Sequence, residues 1–306
     1  MNPIRTSRIS RKAILYPDSG HVSCPLEHPL TGGDTLSEHE PAPSWVIDPH
    51  KPSVARMYDY YLGGKDNFAA DREAADEILA RMPYVRDFTR ENRAFLSRVV
   101  RLLAAQGIRQ FLDIGSGLPT RENTHQVAQA VAPDARVVYV DNDPIVLAHG
   151  RALLAKNRNT AVVRADLHDP KGILDHPEVR ALIDFSQPVA IMLLAIVHFV
   201  PDDDEASRIV RELRVPMVPG SYLVMSHGHM GEVDDDLQEV VYKTYRQTSS
   251  GNITARTSSQ VAAYFEGMEL LEPGIVQVGV WRPEIRGLAD ADPRKAGFFG
   301  AVGRVR

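Results

Sequence analysis

The 306-residue chain has a single cysteine, Cys24, so it can form no intramolecular disulfide and offers no cysteine-rich zinc site. It has no apolar run near the roughly 20 residues that a membrane-spanning helix needs. The Arg and Lys of its first residues are not followed by an apolar core, so a secretory leader is not expected either. Nor is there an excess of positive charge. Lys and Arg number 35 against 40 Asp and Glu, a net charge of −5, and no basic stripe interleaves with aromatics. These absences argue against membranes and nucleic acids as partners and fit a reducing, cytoplasmic setting. Residues 1–48 also lack hydrophobic periodicity. They read as a disordered tail whose histidines show no metal-like spacing, or as a stretch upstream of the native start.

Ordered structure is expected to begin near Pro52. Ser53 reads as an N-cap, and Val54, Met57, Tyr58, Tyr61 and Leu62 succeed it at helical spacing until Gly63-Gly64 stops the helix. Asp66 or Asn67 opens a second helix over 68–82, which Pro83 ends. A third covers 85–106, with Phe88, Asn92, Phe95, Val99 and Leu102 on one face. Residues 49–107 are thus expected to form a helical cap or lid on a core domain spanning 108–306.

From residue 108 the pattern becomes strand and helix in alternation. Strands are expected at 111–114, 136–140, 161–164, 189–194 and 221–226, with helices between them at 121–131, 145–156 and 203–214. Further helices are expected at 234–245 and 258–266, and final strands at 275–281 and 297–305. This predicts an α/β fold with a mostly parallel seven-stranded sheet, an antiparallel C-terminal hairpin and helices on both faces.

In such a sheet a ligand sits beyond the carboxyl ends of the strands. The first strand runs into Asp113-Ile-Gly115-Ser116-Gly117, a turn whose glycines let a ligand approach the main chain. A dinucleotide would bring its pyrophosphate over Asp113, which repels it. S-adenosylmethionine (SAM) carries an ammonium and a sulfonium, which a carboxylate attracts. Asp141, with Asn142 beside it, ends the second strand where a ribose diol would lie. Asp166 and Leu167 come just after the third strand, suited to an adenine amino group and ring face. Leu194 and Ala195 end the fourth, at the methionine end.

These strand ends resemble class I, Rossmann-like SAM-dependent methyltransferases. More narrowly, the segments 52–68, 92–96, 111–120 and 138–144 resemble a bacterial family of such enzymes formerly known as a domain of unknown function. The resemblance runs from Pro52 to the C-terminus and implies the class I fold, SAM as cofactor and methyl transfer, but no particular acceptor. The chain departs from the general loop in having Leu118-Pro119 where a third glycine often stands.

Methyl transfer from a sulfonium is an in-line displacement, helped by a base only where the nucleophile must lose a proton. His198, in the loop after the fourth strand, is the expected base, ahead of His227, His229 and Glu232 after the fifth. The spacing of His227 and His229 is too sparse for a metal. Tyr58, Tyr61, Asn92, Arg93 and Tyr245 are expected to face a small-molecule acceptor. Two other classes stay open: a non-catalytic SAM- or nucleoside-binding module, and an NAD(P)-linked oxidoreductase, against which Asp113 and the hairpin argue.

Overall fold

The computed structural model describes residues 47–120, 122–154, 157–283, 292 and 294–306, with only the backbone of 153 and 154. The tail expected over 1–48 therefore lies outside the described residues but for its last two. Three helices come first: α1 (Val54–Tyr61), α2 (Ala69–Arg81) and α3 (Val85–Ala105). The alternating part then runs β1 (Gln110–Ile114), α4 (Thr124–Val131), β2 (Arg136–Asp141), α5 (Pro144–Leu154), β3 (Thr160–Arg164), α6 (Pro170–Asp175), α7 (Pro177–Leu182) and β4 (Ala190–Leu194). After a 3₁₀ turn at Val197–Phe199 come α8 (Asp203–Arg214), β5 (Tyr222–His229), α9 (Asp235–Arg246) and α10 (Ser258–Ala263). The chain closes with β6 (Glu269–Leu270), β7 (Val276–Gln277) and β8 (Gly297–Arg304).

The sheet runs β3-β2-β1-β4-β5-β8-β6, with β7 also paired to β8, and β8 is antiparallel to its neighbours. This is the Rossmann-like arrangement with one reversed strand that the sequence predicts. Among the described residues it has eight strands rather than seven, because the segment expected at 275–281 pairs for two residues and then coils into a 3₁₀ turn at Val278–Val280, while Glu269–Leu270 adds a separate short pairing. Arg98 of α3 fastens that turn by donating to the carbonyls of Val278 and Trp281 at 2.6 and 3.0 Å.

The central strands are apolar throughout because both faces are covered; every residue of β1 and of β4 is buried. One face packs on α6, α7, α8 and α10 around Ile173, Val179, Leu213 and Phe265. The other packs on α3 and α4, where Phe95 meets Trp281 edge to face at 5.3 Å. Strand order reverses between β1 and β4, and that switch point opens a crevice at their carboxyl ends.

Two local departures matter for the site. The helix expected from residue 121 begins at Thr124, because Leu118 turns inward against Ile145 and Val146 and Asn123 takes the capping position. The Ser53 hydroxyl does not cap α1. It donates to Asp143 at 2.6 Å, fastening the start of α1 to the end of β2. Deeper in, Asp71 accepts from Arg56 Nε at 2.7 Å and from the N–H groups of Ser53 and Phe68 at 2.9 and 2.7 Å. Both members of this ion pair are buried. Asp59 pins the Gly63-Gly64 turn in the same way, accepting from Asp66 N–H and Asn67 Nδ2 at 2.9 and 2.8 Å.

Candidate functional site

The crevice is a cavity of about 290 Å³. Its floor is the strand ends. Asp113, Gly115, Ser116 and Gly117 come from β1 and its turn, Asp141 and Asn142 from β2, Asp166 and Leu167 from beyond β3, and Leu194 and Ala195 from β4. Its roof is helical: Tyr58 and Tyr61 from α1, Asn92 and Arg93 from α3, and Tyr245 from α9. His198 closes one side from the 3₁₀ turn. The site residues expected from the sequence line this one cavity, apart from the runner-up bases His227, His229 and Glu232. Sequence reasoning missed Phe298 of β8 and Ser249-Ser250 after α9, which line it too. Only the pairing of β8 beside β5 could have placed Phe298 there.

The β1 turn is built around two glycines in the left-handed region. Gly115 has φ +72°, and a Cβ on it would overlap the Ile196 side chain at 2.5 Å. Gly117 has φ +65° and nothing within 4 Å of where a Cβ would stand, so its main chain is open to a ligand. Ala195, at the end of β4, also takes a left-handed conformation, φ +52°, although it bears a side chain. Its N–H is held by the carbonyl and hydroxyl of Ser226 at 3.0 and 2.9 Å. Such a conformation costs about 1–2 kcal/mol and is tolerated where a site needs it.

The acids differ in their surroundings. Asp113 is buried and accepts from the Thr124 hydroxyl at 2.6 Å. Burial raises its pKa, while Thr124 and the Arg93 charge pull it back. Asp141 accepts from Gly117 N–H at 2.9 Å and Asp143 N–H at 3.0 Å, and burial pushes it up to about 6. Asp166 is half exposed and accepts from the backbone and ring of His168 at 3.0 and 2.8 Å.

His198 is buried, and its Nδ1 accepts from Gly228 N–H at 3.2 Å. A neutral imidazole that accepts at one nitrogen carries its proton on the other. Burial, then His227 and Arg256, hold its pKa well below 6.5. The geometry thus favours a neutral ring that donates, rather than the expected proton acceptor. His227 and His229, expected beyond the fifth strand, lie inside β5, which continues because β8 supplies partners as far as Gly297. His227 donates from Nδ1 to Gly228 O at 2.9 Å, and its Nε2 lies 3.2 Å from Arg256 Nη1, with burial lowering its pKa to about 4. Arg256, buried and not anticipated from the sequence, also donates to Val200 O at 2.9 Å and Asp203 at 2.8 Å, which holds the 3₁₀ turn in place. Among the described residues no cluster of three His, Cys, Asp or Glu is placed to bind a metal, and no helix is long and apolar enough to cross a membrane.

Three buried polar atoms of residues lining the cavity have no hydrogen-bond partner among the described residues: Tyr61 Oη, Asn92 Oδ1 and Arg93 Nε. Burying such atoms unpaired costs free energy, so a ligand that supplies a donor and an acceptor there is favoured. SAM fits this set. Arg93 suits its carboxylate, Asp113 and Asn92 its ammonium, Asp141 its ribose diol, and the open face of Gly117 a close approach.

The chain matches the model of the S-adenosyl methyltransferase family over residues 40–306. Two solved structures are similar along most of their length. One, from Thermobifida fusca YX and assigned provisionally as a methyltransferase, is 46% identical with a TM-score of 0.77, covering 84% of this chain and 96% of its own. The other, a DUF574 family protein from Streptomyces avermitilis MA-4680, is 45% identical with a TM-score of 0.78, covering 85% and 99%. A comparison with curated proteins gave no match.

Proposed function

Because the chain belongs to the S-adenosyl methyltransferase family, and so is a SAM-dependent methyltransferase, we propose that it methylates a small molecule by in-line displacement in the crevice over β1 and β4. The observation that carries this reading is the meeting of strand-end acids, open glycine backbone and unpaired Asn92 and Arg93 atoms in one cavity. When bound, SAM supplies an electrophilic methyl group on a sulfonium.

The chain's own part is to hold and to exclude. Asp113 and Arg93 fix the amino-acid end by charge, and Asp141 fixes the ribose. Asn142, Asp166 and Leu167 receive the adenine, while Ser116, Leu194 and Ala195 complete the walls. Asn92 lies over the ammonium, Tyr58 and Tyr61 roof the acceptor, and His198 forms a neutral wall beside it. Holding two reactants in line in a water-poor site supplies much of the rate of such a transfer. The helical roof acts as a lid, and the net charge of −5 disfavours a nucleic-acid acceptor.

Asp141→Ala removes a charged acceptor from both the ribose site and the Gly117 loop. Hydrogen bonds to a charged group are worth about 1.5–3 kcal/mol, so SAM affinity should fall about 10- to 100-fold. Calorimetric titration of the full chain with SAM and its demethylated product measures this. Unchanged affinity would remove Asp141 from the ribose site, and failure of the unaltered chain to bind SAM would sink the reading as a whole.

A further inference from the structure

A second cavity, of about 70 Å³, adjoins the first and shares five residues with it: Tyr58, Tyr61, His198, Tyr245 and Phe298. It runs away from the strand-end acids, between α1–α3 and the antiparallel pair β5/β8. Its walls are aromatic and aliphatic, with Ile78, Met82, Phe88 and Val241 among them, and no described lining residue is an acid, Lys or Arg. Beyond the shared residues stands His229, 6% exposed, stacked on Phe299 at 4.0 Å, with Nε2 bonded to nothing among the described residues.

We infer that this second cavity is the acceptor subsite, and that it takes an uncharged single-ring aromatic molecule with a nitrogen nucleophile, its polar substituent bonded to His229 Nε2. The inference rests on the methyltransferase reading above. Three observations lead to it. A pocket without charged groups repels an ionised acceptor, because an unpaired charge buried there is very costly. A volume of about 70 Å³ leaves no room for a second ring beside one that reaches in from the junction. Two buried polar atoms of its lining are unpaired among the described residues, Tyr61 Oη at the junction and His229 Nε2 beyond it, and the His229 nitrogen asks for one polar partner on the substituent.

The junction decides the attacking atom. Of its five residues, Phe298 has no titratable group and the other four are poor proton acceptors at neutral pH. Burial raises Tyr58 and Tyr61, puts Tyr245 at about 12 and holds His198 well below 6.5. The His198 nitrogen that could accept already does so, from Gly228. A phenol or alcohol must lose its proton to attack, and nothing here takes it. A neutral ring nitrogen loses none: its lone pair forms the bond to the methyl carbon, and the carbon–sulfur pair leaves with the sulfur. The positive charge passes from sulfur to nitrogen, at a junction lined by Tyr58, Tyr61 and Tyr245.

The test uses the full chain with SAM and three probes: pyridine-3-carboxamide, its anionic counterpart pyridine-3-carboxylate, and phenol. Formation of demethylated cofactor is measured for each. Methylation of the carboxamide, with kcat/KM at least 10-fold above the carboxylate and no turnover of phenol, is expected. Equal use of the carboxylate, preference for phenol, or no turnover or binding of the carboxamide when the cofactor product is bound would overturn the inference. Gly297→Ala tests the cavity itself. Its Cβ would sit 3.5 Å from His229 Nε2 and 3.9 Å from Phe88, ordinary contacts that the fold accepts. The carboxamide KM should rise at least 10-fold with SAM affinity unchanged. His229→Phe keeps the stacking and removes the nitrogen, and should raise the carboxamide KM about 10-fold without affecting unsubstituted pyridine. An unmoved KM in both variants contradicts the assignment. Loss of SAM binding by the unaltered chain instead defeats the underlying reading, and that titration tells the two failures apart.

Discussion

Unfolding free energy should fall by several kcal/mol as pH drops from 6.5 to about 4. His227 and His229 are neutral in the fold, with pKa values lowered to about 4 chiefly by burial, against 6.5 when unfolded. Between those values the unfolded chain binds protons that the folded chain refuses, so stability is lost as pH falls. At about 1.4 kcal/mol for each tenfold difference in proton affinity, the two rings together account for roughly 6 kcal/mol. His198, lowered in the same direction, adds to this. Asp141 opposes it. Its folded pKa of about 6 lies above its ordinary 3.8, so the fold keeps a proton that the unfolded chain releases, and acid favours the fold there by about 3 kcal/mol. The histidines win. The physical cause is plain at His227, whose protonation would set a cation against the buried Arg256 guanidinium. Urea unfolding at several pH values between 4.5 and 7.5 measures the slope. His227→Gln with His229→Gln should flatten it, and Asp141→Asn should steepen it. A slope unchanged in the double variant would show that these rings are not the source.

Asp71→Ala should cost about 3–5 kcal/mol of stability, since it leaves the Arg56 charge buried and unpaired. Two backbone N–H groups, of Ser53 and Phe68, lose their acceptor at the same time. The loss bears on the site because α1 carries Tyr58 and Tyr61 into the crevice. SAM affinity should drop along with stability. Replacing both partners, Arg56→Met with Asp71→Leu, removes the unpaired charge and should recover the part of the loss due to it, while the Ser53 and Phe68 N–H groups stay without their acceptor. Denaturant unfolding of the single and double variants decides the matter. A single variant within 1 kcal/mol of the unaltered chain would mean that water reaches the pair.

The sheet and the floor of the site were legible because both are written locally. An apolar run such as Phe111-Leu112 that ends in Asp113 signals a buried strand whose carboxyl end carries a polar group, and the same grammar recurs at Asp141 and Asp166. The roof was legible only as a set of residue types. That Tyr58, Asn92 and Tyr245 converge depends on α1, α3 and α9 packing together, which no local pattern encodes. Arg256 escaped notice because its partners, Val197, Val200, Asp203 and His227, are distant in sequence. The fifth strand was read three residues short at Ser226, since His227-Gly228-His229 looks like a polar loop until β8 lies beside it. The role expected for His198 depended on its protonation, and the Gly228 N–H that settles its tautomer comes from a neighbouring strand.

The roof is stitched across the chain. Ser249 N–H donates to Pro52 O at 2.9 Å, and Thr244 reaches Glu77, 167 residues away, at 3.1 Å. In synthesis the residues of the proposed cofactor shelf, which end at Ala195, precede α9, which covers the crevice. Without α9 the crevice lacks Tyr245 and the Ser249 contact to Pro52. Competence for transfer comes late, when the last third of the sequence closes over the first.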